Sequence, residues 1–362
     1  MKKFLIAILT LILLAPLTLV GCGNDKNVVR VNEVTHSIFY APLYIAINNG
    51  YFEEYDIEIE LTNGGGSDKS MTAVVSGTAD IGLMGPETAV YVAAQGRQDL
   101  PVVFGQITKR DGSFIVGREN IENFEWSDLE GKEILGGRRG GMPAMMLEYA
   151  IKQNNVNCTI NYDIAFDNLT GAFMGGTGDF VTAFEPVAST IEQNGKGYVL
   201  ASVGAESGEV PFTAFMANRS YINNNQETVK NFLKAIVKAY NFLVSANIDD
   251  IVDSLRPSFD GTSDLLIKQS IQSYIAIDAW SSSPIMTEVA YNNLIKVLKN
   301  SETLTADIAY NTIVDNSIAT LVLQEITTKK KNKKRHKFSC AFDKKNIYVF
   351  FSQKIYFYNI MR

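Results

Sequence analysis

Gly77-Thr78-Ala79-Asp80-Ile81-Gly82-Leu83-Met84-Gly85-Pro86-Glu87 holds a turn, a short apolar run and a helix start. Farther along, Gly176-Thr177-Gly178-Asp179-Phe180 leads into Phe184-Glu185-Pro186 in the same order. Both read as turn, buried strand, then a helix start with a proline and an acid. A Gly-Thr-x-Asp turn is common by itself. The glycine-rich loops repeat as well, and together they predict two similar α/β lobes. Each lobe would aim the carboxyl ends of its strands at a shared cleft, where ligands of such folds bind.

Working outward, strand and helix signals alternate from residue 28. Val28 to Val34 alternates like a strand, Ala41 to Asn49 reads as a helix closed by Gly50, and Ile57 to Leu61 is a second strand. Asn63-Gly64-Gly65-Gly66 is a loop before a helix capped by Ser67 or Asp68 and running to Val75. Ala79 to Met84 is a third strand, Glu87 to Ala94 a helix and Pro101 to Thr108 a fourth strand. Strands separated by single helices imply parallel, right-handed βαβ units. The second block has strands at Lys132 to Leu135, Asn161 to Phe166, Asp179 to Ala183 and Gly197 to Val203. Its helix, Pro143 to Gln153, follows the loop Gly136-Gly137-Arg138-Arg139-Gly140-Gly141. From Asn225 to Asn300 the chain is mostly helical, with Phe232, Ile236, Tyr240 and Leu243 at helical spacing.

The 362 residues exceed one ordinary domain. Three cysteines cannot build a disulfide framework or a structural zinc site, and His36 and His336 lie too far apart in sequence for a His-rich metal motif. No metal and no cofactor is expected. The net charge of −6 conceals a split. Residues 325–362 hold 11 Lys/Arg against 2 Asp/Glu, whereas 23–324 hold 20 basic and 37 acidic residues. An acidic body of this kind is a poor partner for nucleic acid.

Lys2 and Lys3 precede an uncharged apolar run, Phe4 to Val20, with the flanks of a signal peptide. It ends in Leu19-Val20-Gly21-Cys22, which resembles a bacterial lipobox. Residues 1–21 are expected as a lipoprotein signal peptide, Cys22 as the lipidated residue and 22–27 as a polar tether. The mature chain would then be extracytoplasmic and lipid-anchored to the bacterial cell membrane. An ordinary signal peptide with a chance cysteine is the plainer alternative.

Thr35-His36-Ser37-Ile38-Phe39-Tyr40-Ala41-Pro42-Leu43-Tyr44-Ile45-Ala46, Asn49-Gly50-Tyr51-Phe52 and Val75-Ser76-Gly77-Thr78-Ala79-Asp80-Ile81-Gly82 resemble solute-binding proteins of ABC importers. The group is that of the nitrate, sulfonate, taurine and thiamine-pyrimidine-precursor binders (SsuA- and ThiY-like). Phe184-Glu185-Pro186 is similar to the aromatic-Glu-Pro of many second lobes, and the likeness covers about residues 28–320. The resemblance implies a periplasmic-binding-protein-like type II fold, two α/β lobes joined by a two-strand hinge. Lobe 1 would comprise 28–110 and the return 212–320; lobe 2 would be 111–211. The hinge would lie near Arg110-Asp111-Gly112-Ser113 and Pro211-Phe212-Thr213. The implied partners are a small-molecule solute and an ABC permease with its ATPase, and a monomer is expected.

Candidate ligand residues sit at strand ends and helix starts. His36, Ser37, Phe39 and Tyr40 follow the first strand; an aromatic there can stack on a flat ligand or pack into the lobe. Gly65, Gly66, Ser67 and Asp68 let backbone approach a ligand beside helix N–H groups. Gly85, Glu87 and Thr88 begin another helix, where Glu87 either accepts from an amine or simply favours the positive helix end. In the second lobe Arg138, Gly140, Gly141 and Met142 suit an anion, with arginine as a planar fork. Phe184 and Glu185 would oppose the first lobe, or Glu185 would serve as a helix-start charge. Asp68, Glu87 and Glu185 oppose an anion; Arg110, Arg138 and Arg139 favour one. The balance leans to a neutral or amine-bearing heterocycle, thiamine-pyrimidine-like, with sulfonate, nitrate or taurine-type anions as the alternative.

No catalytic set is legible: Cys158 is solitary and no Ser-His-Asp arrangement can be read. An enzyme on the same fold, such as a pyrimidine synthase, is the other class to weigh, and a ligand-sensing partner of a surface receptor a third. Residues 321–362 are expected to lie outside the fold as an atypical basic and aromatic tail, from a shifted reading frame or as a membrane-binding segment.

Overall fold

The computed structural model describes residues 27–329 and 331. The leader, the tether up to residue 26, the lipidation at Cys22 and the tail beyond 331 lie outside the described residues. In chain order the strands are β1 (Asn27–Glu33), β2 (Ile57–Asn63), β3 (Ile81–Met84), β4 (Pro101–Thr108), β5 (Ser113–Gly117), β6 (Glu133–Leu135), β7 (Thr159–Asn161), β8 (Phe180–Phe184), β9 (Tyr198–Ser202) and β10 (Thr213–Asn218).

They form two five-stranded sheets, ordered β2-β1-β3-β10-β4 and β7-β6-β8-β5-β9. In the first, β1 runs parallel to β2 and β3, and β10 is antiparallel to β3 and β4. In the second, β6 runs parallel to β7 and β8, and β5 is antiparallel to β8 and β9. The two orders are the same pattern, with one strand in each sheet arriving from the other lobe. Every residue of β3 and β4 is buried, as expected of strands covered on both faces.

The repeated Gly-Thr-x-Asp turn has a physical role. It enters β3 in one lobe and β8 in the other, the equivalent central positions. Asp80 N donates to the Arg30 carbonyl at 2.9 Å, and Asp80 Oδ2 accepts from Arg30 N at 2.9 Å. Asp179 N donates to the Glu133 carbonyl at 2.9 Å, and Asp179 Oδ2 accepts from Glu133 N at 2.9 Å. Each aspartate thus locks the entry of its strand to the neighbouring first strand of the lobe. In lobe 1 the Arg30 side chain closes the joint with two further bonds to Asp80.

The chain crosses between sheets at 109–112 and returns over 203–212. The two crossovers run side by side, with Val210 N donating to the Lys109 carbonyl at 3.0 Å. After β10 the long helix Gln226–Ser245 buries Val229, Phe232, Leu233, Ile236, Tyr240 and Leu243 on one stripe and packs on the helix Ala41–Asn48. The helix Glu288–Asn300 packs against Met142–Gln153 of lobe 2, so the return reaches across to the other lobe. The expected end of the fold at residue 320 needs correction. Residues 317–329 form one helix in which Val322 is fully buried and Glu325 pairs with Lys234 at 2.8 Å. Among the described residues, no helix is long and apolar enough to cross a membrane.

Candidate functional site

Three helices start where the two sheets face each other: Ser67–Ser76 after Gly66, Glu87–Ala94 after Pro86, and Met142–Gln153 after Gly141. None of the three has a cap bond from its N-cap side chain, and the Glu87 carboxyl lies by the first N–H groups of two of them. A cavity of about 320 Å³ lies there. Gly65, Gly66, Ser67, Asp68, Glu87, Thr88, Arg138, Gly140 and Gly141 all border it. Tyr40, Gly85, Met142 and Phe184 border a smaller chamber of about 20 Å³, which shares Val34, Ser67, Pro143 and Phe166 with the larger.

Glu87 is fully buried at the cavity wall, and among the described residues neither carboxyl oxygen has a hydrogen-bond partner of good geometry, although backbone N–H groups lie close by. Its carboxylate folds over Gly85, the one residue type that leaves space for it. Burial pushes the carboxyl up to about 8. The N–H groups of Glu87, Met142 and Thr88 and the Arg138 charge draw it back only partly. An unpartnered carboxyl is costly inside a protein and invites a hydrogen-bond donor.

The lobes meet around the cavity through polar contacts. Asp68 on lobe 1 pairs with Arg138 on lobe 2, and Lys69 faces Asp167 at 3.8 Å in the opposite sense. The Tyr91 hydroxyl donates to the Gly140 carbonyl at 2.9 Å. Behind the cavity, Ser37 Oγ donates to the Glu185 carbonyl at 2.6 Å.

Five candidate residues lie elsewhere. His36 sits among Glu33, Tyr44, Phe259 and the Ser258 carbonyl: Nδ1 is 3.0 Å from Glu33 Oε1 and Nε2 is 2.6 Å from Ser258 O. The Glu33 hydrogen bond holds its pKa above the usual histidine value. It ties β1 to the C-terminal return. Ser37 is a buried lobe-to-lobe strut. Phe39 packs with Tyr40, Phe184, Phe212 and Tyr274 at the lobe junction, too deep to stack on a solute in the cavity. Arg110 lies at the crossover beside Glu209. Glu185 caps its own helix: Oε2 accepts from Ser189 N at 3.0 Å and Oε1 from Ser189 Oγ at 2.7 Å. Arg139 also turns away, stacking on Tyr162 at 4.2 Å. Among the described residues, no cluster of His, Cys, Asp and Glu is arranged to hold a metal.

Residues 38–246 match the family described as NMT1/THI5 like. The curated relative "Putative binding protein YtlA" of Bacillus subtilis (strain 168) is 41% identical over 313 residues, which is 85% of this chain and 94% of the relative. The chain belongs to the NMT1/THI5-like family. Its fold is that of solved periplasmic binding proteins. The alkanesulfonate-binding protein SsuA from Xanthomonas axonopodis pv. citri, bound to MOPS, superposes with a TM-score of 0.66 at 16% identity over 80% of this chain and 98% of that one. The nitrate-binding protein NrtA from Synechocystis PCC 6803 gives 0.61 at 13% identity over 83% and 89%. The expected family and the expected two-lobed fold are those found.

Several cavity residues of this NMT1/THI5-like chain carry no sequence signal of their own. Lys69 reaches the cavity from the first turn, and Tyr91 and Val92 from the second turn, of helices whose starts are legible in the sequence. The sequence pattern puts Phe166 at the end of a strand. The strand stops at Asn161, and Phe166 opens a 3-10 turn that brings its ring to both chambers.

Proposed function

We propose that this chain is the extracytoplasmic solute-binding component of an ABC importer, anchored by lipid at Cys22 and working as a monomer. It captures a small polar solute, passes it to a permease driven by an ATPase, and performs no chemistry. The favoured solute is a thiamine-pyrimidine-like heterocycle or another amine-bearing compound. The observation that carries this reading is Glu87: a carboxyl wholly buried at the wall of the inter-lobe cavity with neither oxygen partnered. A ring amine or exocyclic amino group would satisfy it, and the apolar walls of Val34, Met71 and Phe166 suit a flat ring. Solute held by both lobes would bias the pair toward the closed form, which is the form a permease could recognise.

A second reading, a sulfonate, nitrate or taurine-type anion, draws on the three uncapped helix starts and on Arg138. The names of YtlA and of the structural neighbours support binding in general and anions in two cases. A thermal-shift screen of the purified protein against aminopyrimidines, amines, sulfonates and nitrate tests both. A rise in Tm with an aminopyrimidine or amine, and a smaller radius of gyration with it bound, is expected. Stabilisation by anions alone would overturn the favoured solute, and no shift with any of the four classes would overturn the transport reading.

A further inference from the structure

Asp68 and Lys69 are neighbours in the first turn of one helix, and each finds an opposite charge on the other lobe. Asp68 takes Arg138; Lys69 takes Asp167. The loop before them is shaped for this crossed arrangement. A β-carbon at Gly65 would lie 3.3 Å from Asp167 Oδ2 and 3.4 Å from Lys69 Nζ. One at Gly66 would lie 2.8 Å from Asp68 Oδ1. Bare backbone at two consecutive positions therefore gives both pairs room. All four side chains are about half exposed. Pairs of that kind contribute little to stability, so their consequence lies in what they occupy.

What Asp68 occupies is the guanidinium that a ligand anion would seek. Arg138 stands two residues before Gly140 at the cavity wall, beside the uncapped start of Met142–Gln153. An arginine beside such a helix start is ready to receive a carboxylate, sulfonate or nitrate. Here an internal carboxylate from the opposite lobe is already on it. The buried Glu87 borders the same cavity, but burial holds it protonated, so Asp68 is the acid that meets an incoming anion as a charge. The other cation at the cavity, Lys69, is drawn toward Asp167 and the Gly65 carbonyl.

We propose that Asp68 is a specificity determinant that bars small anions from this cleft, by holding Arg138 from across the cavity in the position a ligand anion would take. The inference rests on the reading that the cavity takes a solute, and it assigns Asp68 the task of choosing the solute's charge. An anion must displace Asp68 and then sit beside it; a neutral or amine-bearing molecule need do neither.

The test is calorimetric titration of the full-length protein with ethanesulfonate and with nitrate, at low ionic strength and without chloride. The variants are Asp68→Asn, Asp68→Ala and the double variant Asp68→Asn with Arg138→Ala. Both single variants should bind ethanesulfonate at least about tenfold more tightly than the parent, because a like charge within a few ångströms is removed and the guanidinium is released. The double variant should lose the gain. Unchanged anion affinity in both folded single variants, or an equal gain in the double variant, would overturn the proposal. An aminopyrimidine titrated in parallel separates the two readings. If it still binds while the anion result fails, only the role of Asp68 falls. If nothing binds to any form, the role of the cavity falls with it.

Discussion

Glu87 folds its carboxylate into the space that Gly85 leaves empty: a β-carbon at Gly85 would lie 2.0 Å from Glu87 Oε2 and 2.6 Å from its carboxyl carbon. The two residues therefore act together, the glycine setting where the acid points. Gly85→Ala should displace the carboxylate toward the cavity. The obstructing atoms are the end of a flexible side chain, so the stability cost should fall at the low end of overpacking, about 1 kcal/mol. Solute affinity should fall further, by about tenfold or more, because the acceptor is no longer where the solute meets it. Urea denaturation and calorimetry with whichever solute raises Tm measure the two effects. A loss of stability with unchanged affinity would take Glu87 out of the site.

The same carboxyl predicts a pH dependence. Burial raises it from 4.5 to about 8, so it is protonated near neutral pH in the folded chain and ionised in the unfolded one. Its contribution to stability is whole below about pH 4.5 and is lost as pH climbs through about 8. Asp111, raised by burial to about 7, and Glu185, also raised by burial, slope in the same sense. Glu87→Gln should flatten the decline without abolishing it. At pH values above about 8 the variant should be the more stable, by an amount of order a few kcal/mol. Denaturation profiles of both proteins across that window check the sign. A variant that loses stability at high pH relative to the parent would contradict the buried, unpartnered state of Glu87.

Much of this was legible because parallel βα units write themselves locally. Glu87–Ala94 and Pro101–Thr108 have the bounds that apolar runs and turn residues predict. The strands β5 and β10 carry no clear strand signal, since each follows a crossover and becomes an antiparallel strand only by inserting into the sheet the chain has just entered. The site divides the same way. Glycine loops and helix starts placed Gly65, Asp68, Glu87 and Arg138 at one cavity. Partners distant in sequence decided the rest: the position of His36 is set by Ser258, 222 residues away. Glu87 and Glu185 look alike in sequence, but the order with proline is reversed. Glu87 follows Pro86 and is already helical, so it can fold back over Gly85. Glu185 precedes Pro186, outside the helix, and reaches forward to Ser189.

That distinction is testable. Glu185→Ala removes the two bonds to Ser189 and should cost about 1 kcal/mol of stability, in the range of a lost helix cap. The lobe-to-lobe bond from Ser37 uses the Glu185 backbone carbonyl and survives the change. Solute affinity should stay within about twofold of the parent, since no carboxylate is lost from the cavity. A tenfold loss of affinity in a protein of near-parental Tm would return Glu185 to the ligand.

The crossover carries the sharpest steric demand. A β-carbon at Gly204 would lie 2.0 Å from the Asp111 carbonyl oxygen, 2.9 Å from its carbon and 3.0 Å from its nitrogen. These are backbone atoms and cannot swing aside as a side chain can. Asp111 is itself immobile: fully buried, with Oδ1 accepting from Ser113 N at 2.6 Å. Gly204→Ala must therefore push the two crossovers apart, at a cost of about 1–3 kcal/mol or more, seen as a drop of several degrees in Tm. Gly171→Ala is the matched comparison. That glycine is helical and would meet nothing within 4 Å, so alanine there should be neutral or stabilising by about 0.5 kcal/mol. Equal Tm values for the two variants would mean that the crossovers can separate at that point without strain, and the lobes would then be joined more loosely than the Asp111–Gly204 contact requires.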